Sequence, residues 1–257
     1  MNSFTSRCIV LPLALFCGAA RSHAAELRPL STDRPDTTES PFSVDAGHWQ
    51  MEMEIAAWTR DGGKTAEFTL GELNLKYGLN ASTDVQFVLP FFTRITDVGE
   101  GFGDIEIRVK HNVWGNDGGS DALAIMPYLK LPTAHGDLGN GDLEGGLIIP
   151  YGFDGPVGWS LGVMGELDVV SDEDGSGYHA LGLFSATASH DLTENTGAFL
   201  EIVGILTPES GSEHEAYFNA GLTWAWADHM QLDGGVRIGL TDDSSDFSPF
   251  MGFGRKF

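Results

Sequence analysis

Cysteine, basic residues and long apolar runs are all scarce in this sequence of 257 residues, and each scarcity excludes a class of protein. Lys and Arg total 14 against 37 Asp and Glu, so the net charge is −23 and nucleic acid, whose phosphates would be repelled, is excluded as a partner. The same shortage argues against a basic patch for anionic lipid. No apolar run reaches the roughly 18 residues of a membrane-spanning helix, which excludes helical spans.

The N-terminus has the three parts of a secretory signal peptide. Arg7 is the charged head, residues 9–20 form the apolar core, and residues 22–24 (SHA) are a small-residue cleavage site. We therefore predict that residues 1–24 are removed and that the mature chain begins at Ala25. Both cysteines, at positions 8 and 17, lie in the removed part, so the mature chain has neither a disulfide nor a thiol nucleophile.

Residues 25–47 form a polar lead ahead of the first regular pattern. Three prolines in this stretch exclude a regular helix or a central strand. We interpret the stretch as a periplasmic N-terminal lead, a tail that leads into the next domain. The alternative is a plug or ligand-gripping segment built on its charged residues Asp33, Arg34 and Asp36.

From His48 onward one unit repeats: about ten residues of polar and apolar alternation, then a turn rich in Gly, Asp, Asn or Ser. In residues 48–59, for example, Trp49, Met51 and Met53 share one face and the intervening polar residues share the other. A period of two predicts β-strands with two unlike faces. We predict twelve strands, at approximately 48–59, 65–77, 85–92, 104–114, 121–132, 143–151, 157–170, 178–189, 197–206, 215–226, 230–240 and 247–257.

Two unlike faces suit either a soluble sandwich or a barrel in a membrane, and three features favour the barrel. The strands are close to the roughly 9–11 residues that cross a bilayer at a tilt, their number is even, and aromatic residues gather near strand ends. The connections also alternate between short turns and longer, more acidic loops, as in outer-membrane barrels. We predict an all-β, antiparallel up-and-down transmembrane β-barrel over residues 48–257, with both termini in the periplasm.

The last stretch, PFMGFGRKF at residues 249–257, ends the chain on an aromatic residue. Chain ends usually fray in water, whereas a membrane barrel needs a closing strand because no backbone edge can stay open in lipid. We predict that this strand pairs with the first. We also expect Phe253 and Phe257 to form the signal that the barrel assembly machinery recognises.

In a barrel the polar faces line the interior, where charges need water or each other. The interior is then either plugged by facing acids and bases or filled with water, with an acidic field that favours cations and neutral solutes. The sequence leaves both outcomes open. The candidate lumen-lining residues are Glu52, Glu54, Glu72, Glu106, Arg108, Lys110, Glu166, Asp168, Glu201, Asp233 and Arg237.

Two sequence patterns resemble catalytic motifs but lack the surrounding structure that catalysis needs. Residues 158–162, GWSLG, match the nucleophile pattern G-x-S-x-G, but no helix follows to form the strained elbow. Residues 189–191, SHD, are neighbours in sequence and cannot form the hydrogen-bonded relay of a triad. The histidines of the mature chain are scattered, and none pairs at zinc-ligand spacing. We therefore predict no enzyme activity, no catalytic residue, no metal site and no cofactor.

Several segments together resemble one family, the outer-membrane proteins grouped under the MetA pathway of phenol degradation and often labelled simply as transporters. The strongest similarity is at residues 32–52, and weaker similarity is found at 101–110, at 127–134 and in the C-terminal RKF. The resemblance implies an outer-membrane β-barrel in a Gram-negative envelope. It also implies passage of small solutes, aromatic compounds among them, and it carries no catalytic residues.

Two functions are consistent with the sequence. The first is a passive outer-membrane channel or facilitator for small solutes, aromatic or hydrophobic compounds included, with the inward charges as its selectivity lining. The second is a closed structural or interaction barrel whose acidic outer loops bind lipid or a partner. In both cases the expected partners are outer-membrane lipid, lipopolysaccharide and the barrel assembly machinery.

Overall fold

Strands with alternating faces make up most of the computed structural model, which describes residues 27–172, 177–207 and 214–257. Two short 3-10 turns, Gly136–Leu138 and Pro156–Gly158, lie in connections. The predicted signal peptide lies outside the described residues. The strands of the described part are β1 (Trp49–Asp61), β2 (Lys64–Asn80), β3 (Thr83–Ile95), β4 (Gly99–Gly101), β5 (Ile105–Trp114), β6 (Asp121–Leu131), β7 (Glu144–Asp154), β8 (Trp159–Ser171), β9 (Tyr178–Asp191), β10 (Thr196–Leu206), β11 (His214–Ala227), β12 (Met230–Gly239) and β13 (Phe247–Lys256).

All of these strands except β4 build one closed antiparallel barrel. Each strand pairs with the next along the chain, and β3 pairs directly with β5, while the short β4 pairs only with the end of β3. The barrel closes where β1 pairs with β13, in a register that sets Met53 opposite Phe253. The predicted fold class, twelve-stranded and closed by the last segment, is therefore confirmed.

Burial is inverted relative to a water-soluble protein. Lys76, Lys110 and Glu201 are at most 2% exposed, although charged residues are almost never so buried unless paired. By contrast Leu167 and Leu222 are 60% and 54% exposed. Apolar side chains on the outside and polar ones on the inside suit a lipid environment and exclude the soluble sandwich. Within the described residues, no helix is long and apolar enough to cross a membrane.

The connections distinguish the two ends of the barrel. At the short-turn end five connections of two to six residues join the strands, as in the turns at 81–82 and 115–120. At the long-loop end most connections are longer, as at 132–143. Strand β1 begins and β13 ends at the short-turn end, so both sides of the closing seam reach this end. That it faces the periplasm stays a prediction.

Residues 28–45, which we call the lumenal segment, lie inside the barrel. Asp33 contacts β2 and β5, Arg34 contacts β12, and Thr38 contacts β9 and β10. A segment can touch strands all around a barrel wall only from the interior. The structure therefore differs from the predicted periplasmic tail and agrees with the alternative of a plug. The physical reason is charge matching, because the segment carries acids and bases that the polar inner face can pair.

Candidate functional site

The centre of the lumenal segment is held by buried ion pairs around Asp33. Its carboxylate accepts hydrogen bonds from Lys76 and from Lys110, which extend from neighbouring regions of the wall. Lys76 also donates to Glu52, and Glu52 in turn accepts the backbone N–H of Asp33 at 2.8 Å. Two buried ammonium groups thus share two carboxylates, and each charge has a partner.

Arg34 extends from the same place toward the neighbouring strands β1, β13 and β12. Its guanidinium donates to Asp233 at 2.9 Å and to Glu54 at 3.4 Å. Arg237 donates to the same Glu54 at 3.0 Å. Both guanidinium groups approach the ring of Phe250, Arg237 at 4.3 Å and Arg34 at 5.8 Å from its centre. An aromatic ring and two cations therefore line this part of the lumen.

Glu201 fixes the tip of the segment with hydrogen bonds from neutral donors. Its carboxylate accepts the backbone N–H groups of Thr37 at 2.9 Å and Thr38 at 2.7 Å. The hydroxyl of Thr38 and the amide of Asn219 donate to it as well, at 2.6 and 2.7 Å. The Thr38 hydroxyl also lies 2.7 Å from that of Ser185. A buried carboxylate with several donors is well compensated without a cation.

On the long-loop side of the tip, Arg108 joins the segment to the wall. Its guanidinium donates to Glu39 of the segment at 2.8 Å and to Glu106 of its own strand at 2.6 and 2.9 Å. It also lies 6.0 Å from the ring centre of Tyr128, whose hydroxyl donates to Asp168 at 2.6 Å. Arg108 therefore lies among acids of the inner wall, which include Glu106 and Asp168.

A second anchor lies at the short-turn end, where the segment enters and leaves the barrel. Arg28 and Lys256 both bind the carboxylate of Asp45, at 2.6 and 2.9 Å. Burial alone raises the pKa of Asp45, but the hydrogen bonds from Lys256 and Arg28 outweigh burial and lower that pKa below its usual value. The two ends of the segment are therefore held together at the mouth of the barrel.

Glycines on the inner wall provide the space that the segment occupies. A side chain at Gly252 would collide with the guanidinium of Arg34, and one at Gly78 would collide with the backbone of Asp45. Both contacts involve groups that the ion pairs fix in place. The glycine-rich composition thus has a packing role here, because it lets backbone and side chains approach closely.

All eleven candidate lumen-lining residues face the interior, but they differ in what they contact. Glu52, Glu54 and Glu201 bind the lumenal segment, as do three others of the set, Arg108, Lys110 and Asp233. Glu106, Asp168 and Arg237 bind other wall residues. Glu72 lines a cavity, and Glu166 lies on the inward face of β8. Their part in selectivity stays a prediction.

Several inward residues outside the eleven candidates also anchor the segment. Lys76 is the main one, and Asn112, Asn219 and Lys256 also bind the segment. A signal was present, since Lys76 alternates with Leu75 and Tyr77 in the same period of two that was used for other strands. Extending the alternation strictly along β2 would have found it.

Two cavities lie on either side of the segment tip. The one toward the long loops has a volume of 350 Å³ and is lined by charged residues that include Glu72, Arg108 and Arg237. The one toward the short turns has a volume of 330 Å³ and lies against β6 to β12. Both are bordered by Arg34, Pro35, Asp36 and Glu39, so the tip of the segment separates them.

Unpartnered polar atoms cluster around the tip. Among the described residues, Arg34 Nε, Glu39 Oε2 and Asn74 Oδ1 are buried without a hydrogen-bond partner in the protein, and all three residues line the cavity on the long-loop side. Buried polar groups are satisfied by protein, water or a bound molecule. This cavity is therefore suited to hold water or a polar solute.

Phe253 and the terminal Phe257 lie on the lipid-facing side of the closing segment, whereas Phe250 faces the lumen. Phe253 is opposite Leu232 of β12 and Met53 of β1. The N–H of Phe257 donates to the carbonyl of Trp49 at 2.8 Å, and its own carbonyl oxygen lies 2.8 Å from a ring nitrogen of His48. The terminal residue thus completes the seam. Recognition by the assembly machinery stays a prediction.

Solved outer-membrane barrels share this fold. The outer membrane channel COG4313 from Pseudomonas putida F1 is 16% identical, with a TM-score of 0.68 over 88% of this chain and 100% of that chain. The NanC porin has a TM-score of 0.58 at 9% identity, over 80% of this chain and all of the porin. CymD, a monoaromatic hydrocarbon channel, has a TM-score of 0.51 at 10% identity, over 83% of this chain and 89% of CymD.

Sequence comparison gives a family but no individual relative. No curated protein matches the chain. The family model described as "Putative MetA-pathway of phenol degradation" matches residues 32–257, which include the tip of the lumenal segment and every barrel strand. The segments that carry the resemblance in the sequence fall within this range. The chain belongs to this family of outer-membrane-type β-barrel proteins.

Proposed function

We propose that the protein is a passive outer-membrane channel for small solutes, aromatic and hydrophobic compounds included. The observation that carries this proposal is the pair of cavities of 350 and 330 Å³ on either side of one narrow point, the tip of the lumenal segment. A displacement of this single segment would join them into a path along the barrel. Family membership supports the same function, as does the similarity to an outer membrane channel and to a monoaromatic hydrocarbon channel.

The proposed orientation follows the chain ends. An exported chain with its short turns in the periplasm presents its long acidic loops to the outside. The lumenal segment then closes the channel from the periplasmic side. The apolar outer wall contacts lipid, the loops lie near lipopolysaccharide, and the assembly machinery inserts the barrel.

The chemistry of the interior suits small solutes of mixed character. Charged groups at the tip share the two cavities with apolar side chains, among them Val88 on the long-loop side and Phe42 and Leu161 on the short-turn side. A phenol-like solute can contact such apolar surface with its ring and donate or accept hydrogen bonds at the charged groups. The sequence contains no phosphate loop, so the proposed transport is passive.

Planar-bilayer recording of the purified mature protein tests the proposal. We expect discrete conductance steps, together with flux of small aromatic solutes into liposomes that is absent from protein-free liposomes. Substitution Glu106→Gln removes one acid beside Arg108 and should lower the preference for cations. The absence of both conductance and solute flux at every voltage would refute the channel.

One observation favours the second candidate function, a closed structural barrel. The lumenal segment contacts the wall on all sides through a network in which most charges are paired, which a permanent plug would also require. A variant that lacks residues 28–45 separates the two functions. A structural barrel conducts only after this deletion, whereas a channel conducts with the segment present. Deletion of loops 93–103 and 133–142 would then abolish the structural role, whereas charge changes in the lumen would not.

A further inference from the structure

A small apolar pocket of 220 Å³ lies at the short-turn end, between the two arms of the lumenal segment and the wall. Leu30 and Pro29 line it from the entering arm, and Phe42 lines it from the returning arm. Pro29 and Gly118 are exposed, so the pocket opens toward the solvent at this end of the barrel.

Every polar side chain that lines this pocket already has a partner. Arg28 donates to Asp45 and to two carbonyl groups, and Lys256 donates to Asp45 and to two carbonyl groups. Gln50 donates to the carbonyl of Ser31 at 2.7 Å and to Glu52 at 2.8 Å. The remaining lining side chains, Ser31, Ser43 and Asn116, are hydrogen-bonded as well. The pocket therefore offers a ligand mainly carbon surface and few free hydrogen-bonding groups.

We propose that this pocket is a binding site for a neutral monocyclic hydrocarbon. An apolar protein cavity of about 150 Å³ binds benzene, so 220 Å³ is enough for a ring with a small alkyl substituent. A ring with a hydroxyl group has similar size, but a hydroxyl inside the pocket loses water and finds no free partner, so such a ring is restricted to poses with the hydroxyl at the solvent opening. The site therefore selects toluene-like compounds over phenol-like ones.

The position of the pocket suggests its role. It shares Ser31 and Phe42 with the 330 Å³ cavity on the short-turn side of the tip, so a solute that has passed the tip reaches it next. The site holds a hydrocarbon at the periplasmic mouth before release. This role rests on the proposed channel function, whereas binding itself does not require transport.

Ligand-observed fluorine NMR on the full mature chain in lipid nanodiscs tests the site. The probes are para-fluorotoluene and para-fluorophenol, and empty nanodiscs correct for partition into lipid. We expect saturable binding of para-fluorotoluene and, after the correction, about tenfold or more weaker binding of para-fluorophenol. This comparison uses the wild-type chain, so it does not depend on how a variant folds.

Leu30→Phe tests the location of the site. The larger ring fills the pocket and should weaken binding of para-fluorotoluene about tenfold or more. The matched control is Leu192→Phe, the same change at an exposed residue in a short turn, which should leave binding unchanged. Equal affinity for the two probes, or unchanged binding in a correctly folded Leu30→Phe variant, would overturn the proposal. Absent solute flux with intact binding would instead count against the channel alone.

Discussion

Replacing Asp33 by Asn should release the lumenal segment from the wall. The side chain of Asp33 is 6% exposed and pairs with Lys76 and Lys110, whose side chains are 2% and 1% exposed. Without this carboxylate Lys76 keeps Glu52, but the nearest remaining acid to Lys110 is Glu39, at 3.8 Å. Asn has nearly the same shape and can still accept the backbone N–H of Ser40. The change therefore removes charge and little else.

The expected magnitude follows from the burial of the two lysines. Breaking a buried ion pair by removing one partner costs about 3–5 kcal/mol, because the other charge stays buried; here Lys110 is left with the more distant Glu39, at 3.8 Å. That cost shifts the balance between docked and released segment by a factor on the order of a hundred to a few thousand. The barrel itself should stay folded, because its closed ladder of backbone hydrogen bonds does not involve Asp33.

Thiol labelling provides the assay, since both cysteines, at positions 8 and 17, lie in the predicted signal peptide. A reporter substitution Thr37→Cys near the tip should react with a charged maleimide at a rate that follows the released fraction. We expect this rate and the open-channel fraction to rise together in Asp33→Asn. The matched control Asp242→Asn changes an exposed acid in a long loop and should change neither quantity. Unchanged labelling in a folded Asp33→Asn variant would refute the assigned role of this ion-pair cluster.

Three further predictions concern the tip, the seam and the mouth. The paired substitutions Thr38→Cys and Ser185→Cys, at hydroxyls 2.7 Å apart, should form a disulfide that blocks conductance until it is reduced; equal conductance in both redox states would show that the tip need not move. Deletion of Phe257 removes the hydrogen bond that completes the seam and should lower the amount of assembled barrel in the membrane, and normal levels would contradict its role. Because docking lowers the pKa of Asp45, the clamp should be intact above the ordinary Asp pKa of about 3.9 and weaken as pH falls through the lowered value. A spin label in the segment should then gain mobility in acid, and Asp45→Asn should be mobile at every pH; a wild-type label that is insensitive to acid would contradict the clamp.

The barrel could be predicted from the sequence because the features that specify each strand lie within that strand and its turns. Alternation and turn residues mark each strand within a few neighbouring positions, so the predicted bounds of β5, β6 and β9 differ from the observed ones by at most two residues. The placement of residues 28–45 is not local. Arg34 binds Asp233 across 199 residues of sequence, and this contact exists only once the barrel has closed. The charges in residues 28–45 indicate that these residues need partners, but the sequence does not show which wall residues the partners are.

Polar anchoring bears on which function the lumenal segment serves. Replacing a buried ion pair by well-packed apolar residues is often neutral or stabilising, so a plug selected only to stay in place has no need of charges. A segment that is anchored by charged residues can be stable in water after it is released. When it leaves the wall, water can solvate Asp33, Arg34 and Glu39 as well as the wall residues they pair with, and little apolar surface is exposed. Release is then controlled by a few ion pairs. A local change that breaks one of these ion pairs can shift the equilibrium from the docked to the released segment. This argument favours a plug that moves, and with it the channel, over a barrel that is permanently closed.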